Sequence, residues 1–104
     1  MHNRVDTFLL EAKILNCIGH SARLAILYQL YFDGPLNVGQ VRDKLKIEQS
    51  QTTRHLNKLF QANILKRERI GKNVLYSLNF PGFEKLLDCI SCLHLSNENE
   101  TEKR

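Results

Sequence analysis

Gln49-Ser50-Gln51-Thr52-Thr53-Arg54-His55-Leu56-Asn57-Lys58 is the stretch that decides how this chain is read. Wound as a helix, it gathers Thr52 and Leu56, with the following Leu59 and Phe60, on one side, and fans Ser50, Thr53, Arg54, Asn57 and Lys58 over the other. The first side can anchor in a core. The second carries hydroxyls, an amide and cations without bulk, the chemistry that lets a helix lie close against base edges in a DNA major groove. A solvated surface helix shows the same polarity, so the flanking sequence has to decide.

Upstream, Asn37 and Gln40 form a capping-box-like helix start, and Val38, Val41 and Leu45 are expected to face inward. That helix stops near Lys46, and after Ile47-Glu48 the polar helix begins. Two short helices around a tight turn make a helix-turn-helix with its second member outward, although the turn has no glycine. Downstream, Asn63 closes the polar helix. Ile64 to Ile70 and Val74 to Leu78 then read as strands around a Gly71-Lys72-Asn73 turn. A cationic hairpin directly after a helix-turn-helix is a wing, with its arms at phosphates and its tip over the minor groove.

Further out, His20 or Ser21 caps a helix ended by Asp33-Gly34-Pro35, with Leu24, Leu27, Tyr28 and Tyr31 expected as its core-facing stripe. Val5 to Ile18 is apolar on two sides: Val5, Phe8, Leu9, Ala12 and Leu15 on one, Leu10, Ile14, Cys17 and Ile18 on the other. Such a helix needs covering twice, and the second cover is expected to be another subunit. After Pro81-Gly82, Phe83, Leu86, Leu87, Ile90 and Leu93 stripe a last helix suited to pair with the first. The fold expected is mainly α with a small β-hairpin, a winged helix-turn-helix in one domain, residues 1–95, followed by a flexible charged tail, residues 96–104.

Charge is unevenly placed. Between Arg42 and Lys72, nine Lys or Arg face only Asp43, Glu48 and Glu68, whereas the rest of the chain holds six basic against eight acidic residues. A positive middle attracts a polyanion. No apolar run nears the roughly 18 residues that cross a bilayer, and the first residues lack a signal-peptide pattern, so a cytoplasmic protein without a membrane partner is expected. Three cysteines, an odd number, read as reduced thiols.

These pieces together resemble the ArsR/SmtB family of winged-helix transcriptional repressors. The likeness runs from about Ala12 to Leu78 and rests on four segments in order. They are Ile18-Gly19-His20-Ser21-Ala22-Arg23-Leu24-Ala25-Ile26-Leu27, Leu36-Asn37-Val38-Gly39-Gln40-Val41, Gln49-Ser50-Gln51-Thr52-Thr53-Arg54-His55-Leu56 and Gly71-Lys72-Asn73-Val74-Leu75-Tyr76-Ser77-Leu78. Ser21 departs from the family, which usually has proline there. The resemblance implies a homodimer joined through its first and last helices, with two recognition helices in successive major grooves of a palindromic double-stranded operator. It carries DNA contact onto Gln49, Ser50, Thr53, Arg54 and His55, and onto Arg67, Arg69, Lys72 and Asn73 of the wing; Gln51, Asn57 and Lys58 complete the candidate surface. For His55 two readings stay open, DNA contact or a hydrogen-bonded histidine beneath the helix.

Relatives commonly leave DNA when a metal or thiol-reactive signal binds. Neither familiar metal site of the family is present. Asn37-Val38-Gly39-Gln40-Val41 has no sulfur where a Cys-x-Cys pair is usual, and Phe80-Pro81-Gly82-Phe83 has no ligand where Asp and His are usual. What remains is Cys89 and Cys92, one helical turn apart, with Cys17 on the first helix. The pair can take a soft metal or metalloid or be oxidised, yet His94 lies on another side and a metal needs three or four ligands. The alternative is that all three thiols are structural.

An enzyme is disfavoured: no serine sits in a strand-to-helix nucleophile turn, and there is neither a phosphate loop nor a paired-carboxylate cleft. A winged-helix protein-interaction module is the other rival. It would expose large apolar anchors on residues 49–58, and none is there.

Overall fold

A computed structural model describes the backbone of residues 7–102 and the side chains as far as Leu93. Its elements are α1 (Leu9–Ile18), α2 (Ser21–Asp33), α3 (Val38–Leu45), α4 (Gln49–Gln61), β1 (Leu65–Ile70), β2 (Asn73–Leu78) and α5 (Phe83–Glu102). Val5, expected in the first helix, lies outside the described residues. Among those residues no helix is long and apolar enough to cross a membrane.

Local chemistry sets most of the boundaries. His20 caps α2, its Nδ1 accepting from the Ala22 amide at 3.2 Å. Asn37 and Gln40 satisfy each other's end of α3: the Asn37 side chain accepts from the Gln40 amide at 2.8 Å, and the Gln40 side chain accepts from the Asn37 amide at 2.9 Å. α4 ends in a Schellman motif. Asn63 takes φ 62, its amide donates to the Phe60 carbonyl, and the Ile64 amide donates back to the Leu59 carbonyl, both at 3.0 Å.

β1 and β2 pair antiparallel, from Leu65 opposite Leu78 to Ile70 opposite Asn73. Gly71 and Lys72 make the turn, and Gly71 has φ 63 at the position where a tight hairpin requires glycine. Leu36, just before α3, exchanges two backbone hydrogen bonds with Tyr76, at 3.0 and 2.8 Å. This short bridge fixes the wing to the helix-turn-helix.

The core collects Ile26, Leu27 and Leu30 of α2, Val41 of α3, Leu56 and Leu59 of α4, Ile64, Leu65 and Tyr76 around the hairpin, and Phe83 at the start of α5. Burying each large aliphatic side chain stabilises the fold by about 1.5–3 kcal/mol. Thr52, Leu56 and Leu59 face inward as the sequence suggests. The α2 stripe is corrected: Tyr28 and Tyr31 are exposed. The buried arc of α2 is turned by about 100°, one residue's rotation, so that Ile26, Leu27 and Leu30 enter the core and Arg23 points inward with them. Tyr28 and Tyr31 touch the exposed ring of Phe32, at 4.9 and 5.9 Å between centroids, and Tyr31 reaches the core only at its edge, 5.8 Å from the Phe83 ring.

On α5, Phe83 is buried and Leu86 and Leu87 are half-buried, but Ile90 and Leu93 are exposed, Leu93 at 71%. Among the described residues the apolar stripe is therefore covered for only about one and a half turns. The α5 backbone runs to Glu102.

Candidate nucleic-acid interface

α3 gives way to α4 at Lys46, which adopts the left-handed conformation, φ 56 and ψ 45. Most turns of this kind use glycine there; here a lysine bears the strain. Glu48 then caps α4. Its carboxylate accepts from the Ser50 amide at 2.6 Å, the Gln51 amide at 3.2 Å and the Ser50 hydroxyl. The Ser50 hydroxyl first, then the two amides, hold this carboxyl below the usual range. An anion in this position also complements the positive end of the helix dipole.

With its start fixed, α4 presents Gln49, Ser50, Gln51, Thr53, Arg54, Asn57 and Lys58 to solvent. Two of these are already engaged: Ser50 with Glu48, and Gln49, whose side-chain carbonyl accepts from the Arg42 guanidinium of α3. Thr53, Arg54, Asn57 and Lys58 form the freer part of the face. Thr52 turns inward, its hydroxyl donating to the Glu48 carbonyl at 3.0 Å.

His55 is withdrawn from this exposed face. It is 3% exposed, because its direction on α4 lies beside that of Leu59, at the edge of the arc buried with Thr52 and Leu56. The Arg23 Nε–H donates to its Nδ1 at 3.3 Å, and the His20 ring lies 4.8 Å away, centroid to centroid. Burial first, then the charges of His20, Arg23, Arg54 and Lys58, push its pKa below the ordinary 6.5. The glutamate cap, the Arg42 clasp and the Arg23 prop were not found in the sequence reading. Glutamate is a weaker N-cap signal than Ser, Thr, Asp or Asn, and contacts between α2 and α4 leave no local trace.

The wing puts Arg67 and Arg69 on one face of β1, two residues apart. Arg67 stacks over Phe60 of α4, its guanidinium carbon 3.9 Å from the ring centroid, which sets that cation beside the helix. Arg69 is exposed, as are Lys72 in the turn and Asn73, whose backbone pairs with Ile70. The structure thus brings together α4 and the root of the wing, while Lys72 sits apart at the tip.

The thiols are divided. Cys17 is half-buried where α1 meets α4, 3.8 Å from the Lys58 carbonyl, whereas Cys89 and Cys92 are exposed on α5. Among the described residues no group of three or more His, Cys, Asp or Glu is arranged to hold a metal ion.

Comparison with known proteins decides the family. Residues 20–67 match the family described as bacterial regulatory protein, arsR family. The transcriptional repressor PagR of Bacillus anthracis is 36% identical over 81 residues, 78% of this chain and 81% of PagR. This chain belongs to the arsR family. The crystal structure of PagR superposes on it with a TM-score of 0.72 at 33% identity, covering 84% of this chain and 99% of that one. NolR from Sinorhizobium fredii gives 0.77 at 25% identity, with 89% and 96% covered. The HTH-type regulator YbzH of Bacillus subtilis (strain 168) is 41% identical over 51 residues, 49% of this chain and 51% of YbzH. As an arsR-family member the protein is a transcriptional repressor built on a winged helix-turn-helix, and not an enzyme.

Proposed function

We propose that this arsR-family repressor acts as a cytoplasmic homodimer that holds a palindromic double-stranded operator through two copies of α4 and two wings. The observation that carries this reading is the outer face of α4, where Thr53, Arg54, Asn57 and Lys58 stand exposed and without apolar anchors beside the stacked Arg67. Hydroxyl, amide and guanidinium groups at that spacing suit base edges, and the wing cations suit phosphates. Pairing through α1 and α5 is supported by the apolar surface each leaves uncovered, Phe8 and Leu15 on one and Ile90 and Leu93 on the other.

An inducer then releases the operator. The exposed Cys89 and Cys92 pair, separated by one turn of α5, is suited to a thiol-reactive or soft-metal signal. Any metal needs further ligands, supplied by the second subunit. Cys17, half-buried against the end of α4, fits a structural role instead. A fluorescence titration with a duplex from the protein's own upstream region, repeated with zinc, cadmium, arsenite, peroxide and polysulfide, tests both halves. Binding that one of these reverses supports the reading; binding that none reverses removes the sensor.

A further inference from the structure

α1 and the outer face of α4 enclose an open groove of about 980 Å³. One wall is apolar: Leu10 is 72% and Ile14 42% exposed. The rest brings four cations, Lys13, Arg23, Arg54 and Lys58, with no carboxylate among the lining residues. Arg23 is the fixed one. Its Nη1 donates to the Cys17 carbonyl at 2.9 Å and its Nε to His55, and among the described residues its Nη2 carries no hydrogen bond. A guanidinium edge already held in place loses little freedom on taking an anion. On the α1 wheel, Leu10 and Ile14 lie on the opposite arc from Phe8, Ala12 and Leu15, so a second subunit covering the latter leaves the groove open.

The geometry points to this groove as the binding site of an amphipathic organic anion, one carboxylate on an apolar chain or ring. The carboxylate meets the Arg23 edge with Arg54 and Lys58 at the rim, and the apolar part lies along Leu10 and Ile14. A phosphate backbone would use the cations but has no need of the apolar wall. Because Thr53, Arg54 and Lys58 serve both ligands, occupancy displaces duplex. This competition rests on the proposed DNA-contacting role of α4; the binding itself does not.

The test titrates octanoate into isotope-labelled protein without DNA, followed by NMR, with octanol and octylammonium as controls. Saturable shifts at Leu10, Ile14, Arg23 and Thr53 are expected for octanoate alone, weakened about tenfold by Leu10→Gln, a change at an exposed site that leaves the fold intact. Equal binding of octanol, indifference to Leu10→Gln, or shifts centred on Phe8 and Leu15 overturn the site. A second arm adds octanoate to duplex-bound protein. Displacement from wild type but not from Leu10→Gln is expected, and duplex that stays bound to octanoate-saturated protein overturns the competition. Protein that takes octanoate at this site yet never binds duplex upholds the groove and refutes only the reading of α4.

Discussion

Arg23 and His55 are joined by a hydrogen bond of 3.3 Å from Nε–H to Nδ1, and through it the start of α2 props the middle of α4. The same guanidinium reaches the Cys17 carbonyl at 2.9 Å, so the end of α1 is tied in as well. The bond requires a neutral imidazole with a free lone pair at Nδ1. Beneath a face that presents Arg54 and Lys58, protonation would both break this bond and add a fourth neighbouring positive charge.

That relationship fixes a pH dependence. Because burial and then the surrounding cations lower the folded pKa below 6.5, the unfolded chain takes up the proton first as pH falls. The stability linked to His55 is fully present above about pH 6.5 and is lost as pH descends through the folded value. Urea melts at pH 7.5 and 5.0 should show a loss for wild type that is smaller for His55→Gln, whose amide oxygen can still accept from Arg23. Parallel losses in the two proteins would sink the argument.

On α4 and the wing, two substitutions should behave differently. Arg54→Ala should weaken operator binding by about 1–3 kcal/mol and relax sequence preference, whereas Lys72→Ala should weaken all duplexes alike and reduce the salt slope by about one. Anisotropy titrations over a range of salt concentrations separate these outcomes. Unchanged binding by both variants would remove the proposed surface.

How much of this was legible follows from how local each signal is. The Asn37–Gln40 box, the inward Thr52, Leu56 and Leu59, and the Gly71 turn lie within a few residues of their partners, and each was readable. The α2 stripe was not. Tyr28 and Tyr31 satisfy helical spacing as well as Ile26 and Leu30 do, and only packing against α4 and the hairpin chooses between the two arcs. His55 was half legible: a hydrogen-bonded place beneath α4 was one of two readings its position allowed, but its partners Arg23 and His20 lie more than thirty residues earlier. The terminal stripe of α5 was readable as apolar, yet none of the described residues covers Leu93.

The helix-turn-helix turn holds a removable strain. Lys46 has φ 56, a conformation that costs an ordinary residue about 1–2 kcal/mol. Lys46→Gly should raise stability by up to about 1 kcal/mol, less whatever glycine adds to the freedom of the unfolded chain. Thermal melts read it directly, and a clear destabilisation would mean that the lysine side chain contributes contacts of its own.

The dimer reading concerns side chains that are exposed in one subunit. Leu15→Glu should shift the protein to a monomer in sedimentation and weaken duplex binding by at least tenfold, with the circular dichroism spectrum retained. A dimer that survives both this change and Leu93→Glu would place the interface elsewhere.

For the thiols, Cys92→Ser should stay on DNA at an inducer concentration that releases wild type. Identical release would clear Cys92 of the role and leave the α5 pair as ordinary surface cysteines.

Two protomers holding one duplex together should show in the mass, by analytical ultracentrifugation at low ionic strength, of the complex formed on a palindromic duplex from the protein's upstream region. Two protomers per duplex, with binding weakened in Arg54→Ala, is the outcome expected; a lone protomer that ignores the duplex would contradict it.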